Sequence, residues 1–222
     1  MQENAHLEEN YRQIISALPK NVELVAVSKT HAAEMIKTVY DLGQRTFGEN
    51  KVQEILEKYP QLPKDIKWHL IGHLQTNKVK YIAEFIDTIQ SVDSKKLLLE
   101  IDKQAAKFNR KIKVLLQVKI AEEETKYGLE IHEAKELYVE FLNNEYPNVD
   151  VVGLMGMATF TEDKNQIRKE FTVLKQIFDQ LSLKHQMHTL SMGMSNDYPL
   201  AIECGANSVR IGSAIFGRRD IV

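Results

Sequence analysis

The sequence predicts one α/β domain, a (β/α)8 (TIM) barrel with an extra N-terminal helix. Eight short runs rich in apolar residues alternate with seven longer amphipathic stretches, and one more helical stretch precedes the first run. The 222 residues are close to what one such barrel needs and leave no room for a second domain. A doubly wound open sheet shows the same alternation, so periodicity alone does not exclude it. The length favours the barrel, with residues 1–222 as a single domain.

The predicted strands are short runs of apolar and β-branched residues that end at polar residues or glycine. In chain order they are residues 23–28, 45–49, 67–72, 86–92, 112–120, 149–158, 187–192 and 208–212. The first contains the continuous apolar run Leu24-Val25-Ala26-Val27, as expected of a strand that is buried on both faces of a parallel sheet.

The predicted helices show apolar residues at helical spacing. They are residues 7–18, 32–42, 50–59, 76–85, 94–108, 131–145, 163–183 and 198–204. Ser94 stands at a capping position, and Pro199 lies in a first turn, where proline is favoured. Phe171, Leu174 and Phe178 follow one helical face, which predicts a core-facing stripe.

Composition excludes several classes of protein. The 29 Lys+Arg residues nearly balance 31 Asp+Glu residues, which argues against a protein that coats nucleic acid or an anionic membrane. No apolar run is long enough to span a bilayer, and an acidic beginning argues against a cleaved signal peptide. The single cysteine, Cys204, excludes an internal disulfide. We therefore expect a cytoplasmic protein with no nucleic-acid or membrane partner.

Lys29 is the first candidate functional residue, because the functional end of such a barrel is formed by the carboxyl ends of its strands. Lys29 follows the first predicted strand. Partial desolvation there lowers the pKa of a lysine and exposes a nucleophilic amine, whose natural product with a carbonyl is a Schiff base. A strand-end lysine that simply reaches solvent fits the position as well.

A phosphate site is predicted where two weaker signals coincide. The run Leu190-Ser191-Met192-Gly193-Met194-Ser195 precedes a predicted helix, and Val209-Arg210-Ile211-Gly212-Ser213 ends the eighth strand. Barrels often bind phosphate in the loops after strands seven and eight, although Ser195 and Asn196 could equally be ordinary helix caps. Together with Lys29, these residues predict a phosphorylated carbonyl ligand.

Other chemistry has weaker support. His69 and His73 are four residues apart, but they fall in a strand and a loop without further ligands, which argues against a zinc site. Cys204 is interpreted as a small apolar residue packed in a helix, and Glu122-Glu123-Glu124 is interpreted as part of a solvent-exposed loop. No glycine-rich nucleotide motif occurs.

Several sequence blocks, in order over residues 5–219, resemble the pyridoxal-phosphate homeostasis protein family. They are Val25-Ala26-Val27-Ser28-Lys29-Thr30, Phe47-Gly48-Glu49-Asn50, Trp68-His69-Leu70-Ile71-Gly72-His73-Leu74-Gln75, Lys126-Tyr127-Gly128, Gly153-Leu154-Met155, and the two runs that form the predicted phosphate site. The resemblance implies the fold of the N-terminal barrel of bacterial alanine racemase and pyridoxal 5′-phosphate as cofactor.

The resemblance also implies roles for individual residues. Lys29 would hold the cofactor as an internal aldimine. The phosphate would be held by Ser195, Gly212 and Ser213 with the backbone around Gly193 and Met194. Arg210 would face the pyridine nitrogen, with Asn50 and Met155 near the ring and Ser191 among the cofactor-binding residues.

The implied function is a carrier of pyridoxal phosphate, although an enzyme remains open. Arginine stays charged and donates to an unprotonated ring nitrogen, which weakens the ring as an electron sink. In related racemases a tyrosine from a separate domain supplies a second acid–base group, and no tyrosine here lies at a predicted strand end. We expect a monomer whose partners are the cofactor and the apo-enzymes that receive it. The alternatives are a racemase or lyase with an unidentified amino acid, or an aldolase-type lysine without cofactor.

Overall fold

The computed structural model is a closed parallel barrel with strand order β1-β2-β3-β4-β5-β6-β7-β8, which confirms the predicted fold class. It describes residues 2–123, 127–183 and 187–217; Glu124 of the acidic cluster and Lys126 of the sequence resemblance lie outside these ranges. The strands are β1 Glu23–Val27, β2 Thr46–Glu49, β3 Lys67–Leu70, β4 Thr88–Val92, β5 Ile112–Gln117, β6 Val149–Met155, β7 Thr189–Met194 and β8 Ser208–Ile211.

Helices follow the strands on the outside of the barrel. They are α1 Gln2–Ala17, α2 Ala33–Asp41, α3 Val52–Lys58, α4 Lys95–Lys107, α5 Ile131–Leu142, α6 Lys164–Ser182, α7 Tyr198–Glu203 and α8 Ser213–Phe216, with 3₁₀ helices at Tyr59–Gln61 and Thr76–Tyr81. α1 is the expected extra N-terminal helix. None of the helices within the described ranges is both long and apolar enough to cross a membrane.

The α-helix predicted over residues 76–85 is wrong in type. The segment forms the 3₁₀ helix Thr76–Tyr81, followed by turns. Val79, Ile82 and Ile86 are buried, as their spacing along the sequence predicts. The backbone hydrogen bond from Ile82 N–H to Val79 O, however, joins residues three apart, as in a 3₁₀ helix, and not four apart, as in an α-helix. Apolar spacing of three residues fits a 3₁₀ helix as well as an α-helix, so the pattern could not separate them.

Strand ends also differ from the predicted limits, and the differences shape the functional end. The predicted strands 112–120 and 149–158 stop at Gln117 and Met155, so the residues beyond them form loops at the mouth of the barrel. β7 instead runs on to Met194, with Gly193 at a φ of +98°.

Apolar side chains fill two regions. Leu24, Ala26 and Phe47 belong to the large core between the strands and the helices. Leu115, Val152 and Met155 form a separate buried cluster. Because side chains alternate along a strand, residues next to those of the outer core face the barrel interior. The interior is thus packed below the functional end.

Candidate functional site

A cavity of about 670 Å³ opens at the carboxyl ends of the strands. Seven of the ten residues predicted to bind the cofactor line it: Lys29, Asn50, Met194, Ser195, Arg210, Gly212 and Ser213. A cavity of this size falls within the usual range for small-molecule sites. The two predicted signals, a strand-end lysine and the loops after β7 and β8, therefore meet in one place.

Lys29 lies in a tight turn directly after β1. The turn is closed by a hydrogen bond of 3.1 Å from His31 N–H to Ser28 O, and Lys29 is half-buried at the cavity. Thr30 has a φ of +68°, a left-handed conformation that is uncommon for a residue other than glycine. The backbone directly after Lys29 therefore has an unusual conformation.

Arg210 is almost fully buried at the end of β8. Its Nη1 donates to Ser191 Oγ at 2.5 Å, and its Nη2 donates to Gly156 O at 3.1 Å. Burial lowers the pKa of Arg210 to about 10, while the nearby carboxylate of Asp197 opposes that effect. The guanidinium therefore remains protonated at neutral pH. A guanidinium has five N–H donors, more than these two bonds use.

A chain of polar contacts continues from Arg210 into the barrel. Ser191 Oγ donates to Gln90 Oε1 at 2.6 Å, and the amide nitrogen of Gln90 lies 2.9 Å from His69 Nδ1. His69 Nε2 lies 3.4 Å from an oxygen of Asp87. Burial alone would raise the pKa of Asp87, but hydrogen bonds from His69 and Thr88 outweigh it and hold that pKa well below its usual range. This series of hydrogen bonds holds Arg210 in position from the interior of the barrel.

Two loops meet at Ser195. Its Oγ accepts hydrogen bonds from the backbone N–H groups of Gly212 at 3.3 Å and of Ala214 at 3.4 Å. The amide of Met194 already donates to Asp197 Oδ1 at 2.6 Å. The β7 and β8 loops thus form one hydrogen-bonded unit at the cavity.

Two glycines lie where these loops closely approach neighbouring residues, and glycine is required at position 193. A Cβ on Gly193 would lie 2.6 Å from Ala201 Cβ and 2.9 Å from Tyr198 Cα, and its φ of +98° disfavours other residues. A Cβ on Gly212 would lie 3.1 Å from Val27 O. The end of β1 and the β8 loop are therefore close together.

The remaining three predicted residues lie behind the lining of the cavity. Met155 is fully buried against Leu115 and Val152. Ser191 supports Arg210 from below, as described above, and Gly193 packs against α7.

His73, which follows β3, was not among the residues predicted to bind a ligand in the cavity. His73 lines the cavity, and its Nδ1 lies 3.0 Å from Asp93 Oδ2. The ring stacks on Tyr127 with centroids 4.0 Å apart. His69 and His73 therefore have different partners, and no three His, Cys, Asp or Glu side chains of the described ranges are grouped as a metal site.

The sequence is similar to that of known proteins. Residues 3–220 match the family model described as alanine racemase, N-terminal domain. A protein of Aquifex aeolicus named pyridoxal phosphate homeostasis protein is 44% identical over 89% of this chain and 87% of its own length. A human protein of the same name is 39% identical over 96% of this chain and 84% of its own.

A solved structure agrees as well. PipY of Synechococcus elongatus, described as having pyridoxal phosphate (PLP) bound, superposes with a TM-score of 0.85 at 35% identity, covering 95% of this chain and all (100%) of PipY. The chain therefore belongs to the alanine racemase N-terminal domain family and, within it, to the pyridoxal phosphate homeostasis proteins.

Proposed function

We propose that this chain binds pyridoxal 5′-phosphate in the cavity, as a Schiff base on Lys29, and serves in the homeostasis of that cofactor as a carrier. The observation that supports this most strongly is the convergence of Lys29, Arg210 and the Ser195–Gly212 contact on one cavity. The name of the Aquifex relative and the bound state of PipY agree with it.

The residues at the cavity fit each part of the cofactor. Ser195 and Ser213 supply hydroxyl groups beside Gly212 at the cavity, where they can donate to a phosphate. Arg210 can donate to the ring nitrogen, and Lys29 can condense with the aldehyde with loss of water. Asn50 lines the cavity beside the place for the ring, while Met155, Ser191 and Gly193 act from behind the lining.

The state of Arg210 favours a carrier over enzymes that need a strong electron sink, although a weak sink still suits a racemase. The cofactor supplies an aldehyde and an electron-withdrawing ring, and a protonated ring nitrogen makes that withdrawal strong. With a pKa of about 10, Arg210 holds its own proton at neutral pH and offers only a hydrogen bond. This chain's residues therefore bind and orient the cofactor without strengthening its electron withdrawal.

We extend the proposal to the whole chain. Residues 1–222 form one domain that acts as a monomer in the cytoplasm and passes the cofactor to apo-enzymes that depend on it. The family match over residues 3–220 supports the single domain.

The pair of His73 and Asp93 favours a second candidate, a pyridoxal-phosphate enzyme that acts on an amino acid. An imidazole held by a carboxylate at 3.0 Å is a group that can transfer protons, and it lines the same cavity as Lys29. Exchange of α-hydrogens for deuterium, measured by NMR over a panel of amino acids, separates the two functions. A carrier shows no enzyme-like exchange; exchange that disappears in His73→Phe would establish the enzyme.

Titration with the cofactor, followed by visible absorption, tests the main proposal. We expect the wild-type protein to develop a Schiff-base band, and Lys29→Ala to lose it while keeping its fold. Lys119→Ala is the matched control, because Lys119 also follows a barrel strand, β5, but does not line the cavity.

Pyridoxal, which lacks the phosphate, should bind about a hundredfold more weakly than pyridoxal phosphate if two charge-assisted hydrogen bonds are lost.

Two results would contradict the proposal. A band that persists in Lys29→Ala would remove the lysine from its proposed role. Equal affinity for pyridoxal and pyridoxal phosphate would remove the phosphate site.

A further inference from the structure

We infer that Glu54, on α3, is a positioning residue for Lys29: together with Lys58 and Glu49 it holds the Ser28–His31 turn from the outside of the barrel. The inference rests on the proposed function of Lys29. Glu54 does not line the cavity, so its effect on a ligand there would pass through the turn.

Three hydrogen bonds fix the turn on both sides of Lys29. Glu54 Oε2 accepts the backbone N–H of Thr30 at 2.6 Å. On the other side of Lys29, the Ser28 carbonyl accepts from Lys58 Nζ at 2.9 Å, and the Ser28 hydroxyl donates to Glu49 Oε1 at 2.6 Å. The cluster thus holds the residues before and after Lys29, which itself lines the cavity.

Lys58 also binds both carboxyl groups of the cluster. Lys58 Nζ lies 2.7 Å from Glu49 Oε1 and 3.0 Å from Glu54 Oε2. The side chain of Glu49 has 0% exposure and that of Lys58 only 9%. Burial acts to raise the pKa of Glu54, but the bonds from Thr30 N–H and Lys58 outweigh it, so the pKa of Glu54 lies below its usual value. Glu54 therefore accepts the Thr30 bond as a carboxylate at neutral pH.

A buried cluster of charged groups is not an efficient way to stabilise a fold. Buried charges lose hydration, and well-packed apolar residues of similar volume are often at least as stable. The cluster is also imperfect as a stabilising device, because the buried Glu49 Oε2 has no hydrogen-bond partner among the described residues. The cluster also forms hydrogen bonds to the backbone of Ser28 and Thr30, and apolar side chains could not form these bonds.

The backbone at Thr30 explains why the turn needs a partner of this kind. A φ of +68° is unfavourable for threonine, and such residues persist where their surroundings hold them. Without the Glu54 acceptor, the turn would relax toward ordinary backbone angles and move Lys29. Covalent bond formation depends steeply on alignment, so a displacement of about 1 Å is enough to weaken it by up to a hundredfold.

The test compares Glu54→Ala with Glu57→Ala, an exposed glutamate on the same helix. Two ligands are titrated: pyridoxal phosphate, which can react with Lys29, and pyridoxamine phosphate, which has no aldehyde. We expect Glu54→Ala to weaken pyridoxal phosphate binding by about tenfold to a hundredfold and to leave pyridoxamine phosphate binding unchanged. Glu57→Ala should match the wild type. Glu54→Gln keeps an acceptor oxygen for Thr30 N–H and should restore most of the affinity.

Hydrogen exchange of the Thr30 amide in the cofactor-free protein gives a second readout that needs no ligand. We expect Glu54→Ala to exchange this amide at least about tenfold faster than the wild type, because its acceptor is gone. If Glu54→Ala does not fold, Glu54→Gln takes its place in the titration, with an expected loss of pyridoxal phosphate affinity of about threefold because a neutral amide oxygen accepts more weakly than a carboxylate. Unchanged affinity in Glu54→Gln would then overturn the positioning role.

The outcomes separate this inference from the proposed function. A wild-type protein that does not bind pyridoxal phosphate defeats the proposed function, and with it this role for Glu54. A wild type that binds, with unchanged affinity and unchanged Thr30 exchange in Glu54→Ala, overturns the positioning role alone. Equal weakening of both ligands also overturns it, because that result describes general structural damage.

Discussion

Glu49 is the last residue of β2, and its carboxyl group is buried against Lys58 of α3. Burial raises its pKa to about 7, while hydrogen bonds from Lys58 and Ser28 act in the opposite direction, and the neighbouring charge of Glu54 adds to the rise. One cation, Lys58, thus lies between two carboxyl groups, Glu49 and Glu54. Glu49 is therefore the member of the cluster whose carboxyl group gains or loses its proton as the pH passes through about 7.

The pH dependence of stability follows from that shift. A carboxyl group whose pKa is higher in the folded protein stabilises the fold below its unfolded pKa, near 4.5, and this contribution is lost as the pH rises through about 7. We expect Glu49→Gln to remove the effect. Between pH 5 and pH 8, the free energy of unfolding should fall by about 1–3 kcal/mol more in the wild type than in the variant.

Urea denaturation of both proteins at the two pH values measures this difference. Glu57→Gln, which changes an exposed carboxyl on α3, is the control. Wild-type and Glu49→Gln stabilities that change in parallel with pH would show that Glu49 does not titrate in this range.

Individual site residues differ in how far sequence could predict them. The position of Lys29 and Arg210 at the cavity was predictable, because a polar residue at the end of a buried strand lies at the functional end of a barrel. Glu54 and Lys58 were not identified, because a pair four residues apart on a helix is usually a solvated surface pair. The missed signal is that Lys58 stands three residues after the buried Ile55, on the same helix face.

Elements were predictable where side-chain periodicity differs between strand and helix. All eight strands and most helices follow from it, and α4 begins at the predicted cap, where Ser94 Oγ accepts from Leu97 N–H. The 3₁₀ helix Thr76–Tyr81 was not predictable in type, since both helix types place side chains three residues apart on one face. α8, with four residues, is too short to show a period.

The whole molecule depends on contacts between distant parts of the chain. β1 pairs in parallel with β8, joining Leu24 to Val209 and Ala26 to Ile211, and this pairing closes the barrel. No local pattern contains it; the number of strands and the length of the chain pointed to it. Closure also places Lys29 beside the Gly212 loop, which turns separate strand-end signals into one site.

A monomer is the expected state of the whole molecule. Residues at or just after the ends of β1, β2, β3, β7 and β8 of a single chain bring the proposed lysine, arginine and phosphate groups to one cavity. Sedimentation velocity at low micromolar concentration should show a single species with the mass of one chain, with and without the cofactor. A tight dimer under these conditions would contradict the expectation.

Borohydride reduction followed by mass spectrometry of peptides tests the central claim most directly, because it fixes the cofactor to the amine that holds it. The wild-type protein, saturated with pyridoxal phosphate and reduced, should carry one phosphopyridoxyl group, on the fragment that contains Lys29. An adduct on Lys78 or Lys119 in place of Lys29, or no adduct at all, would contradict the account.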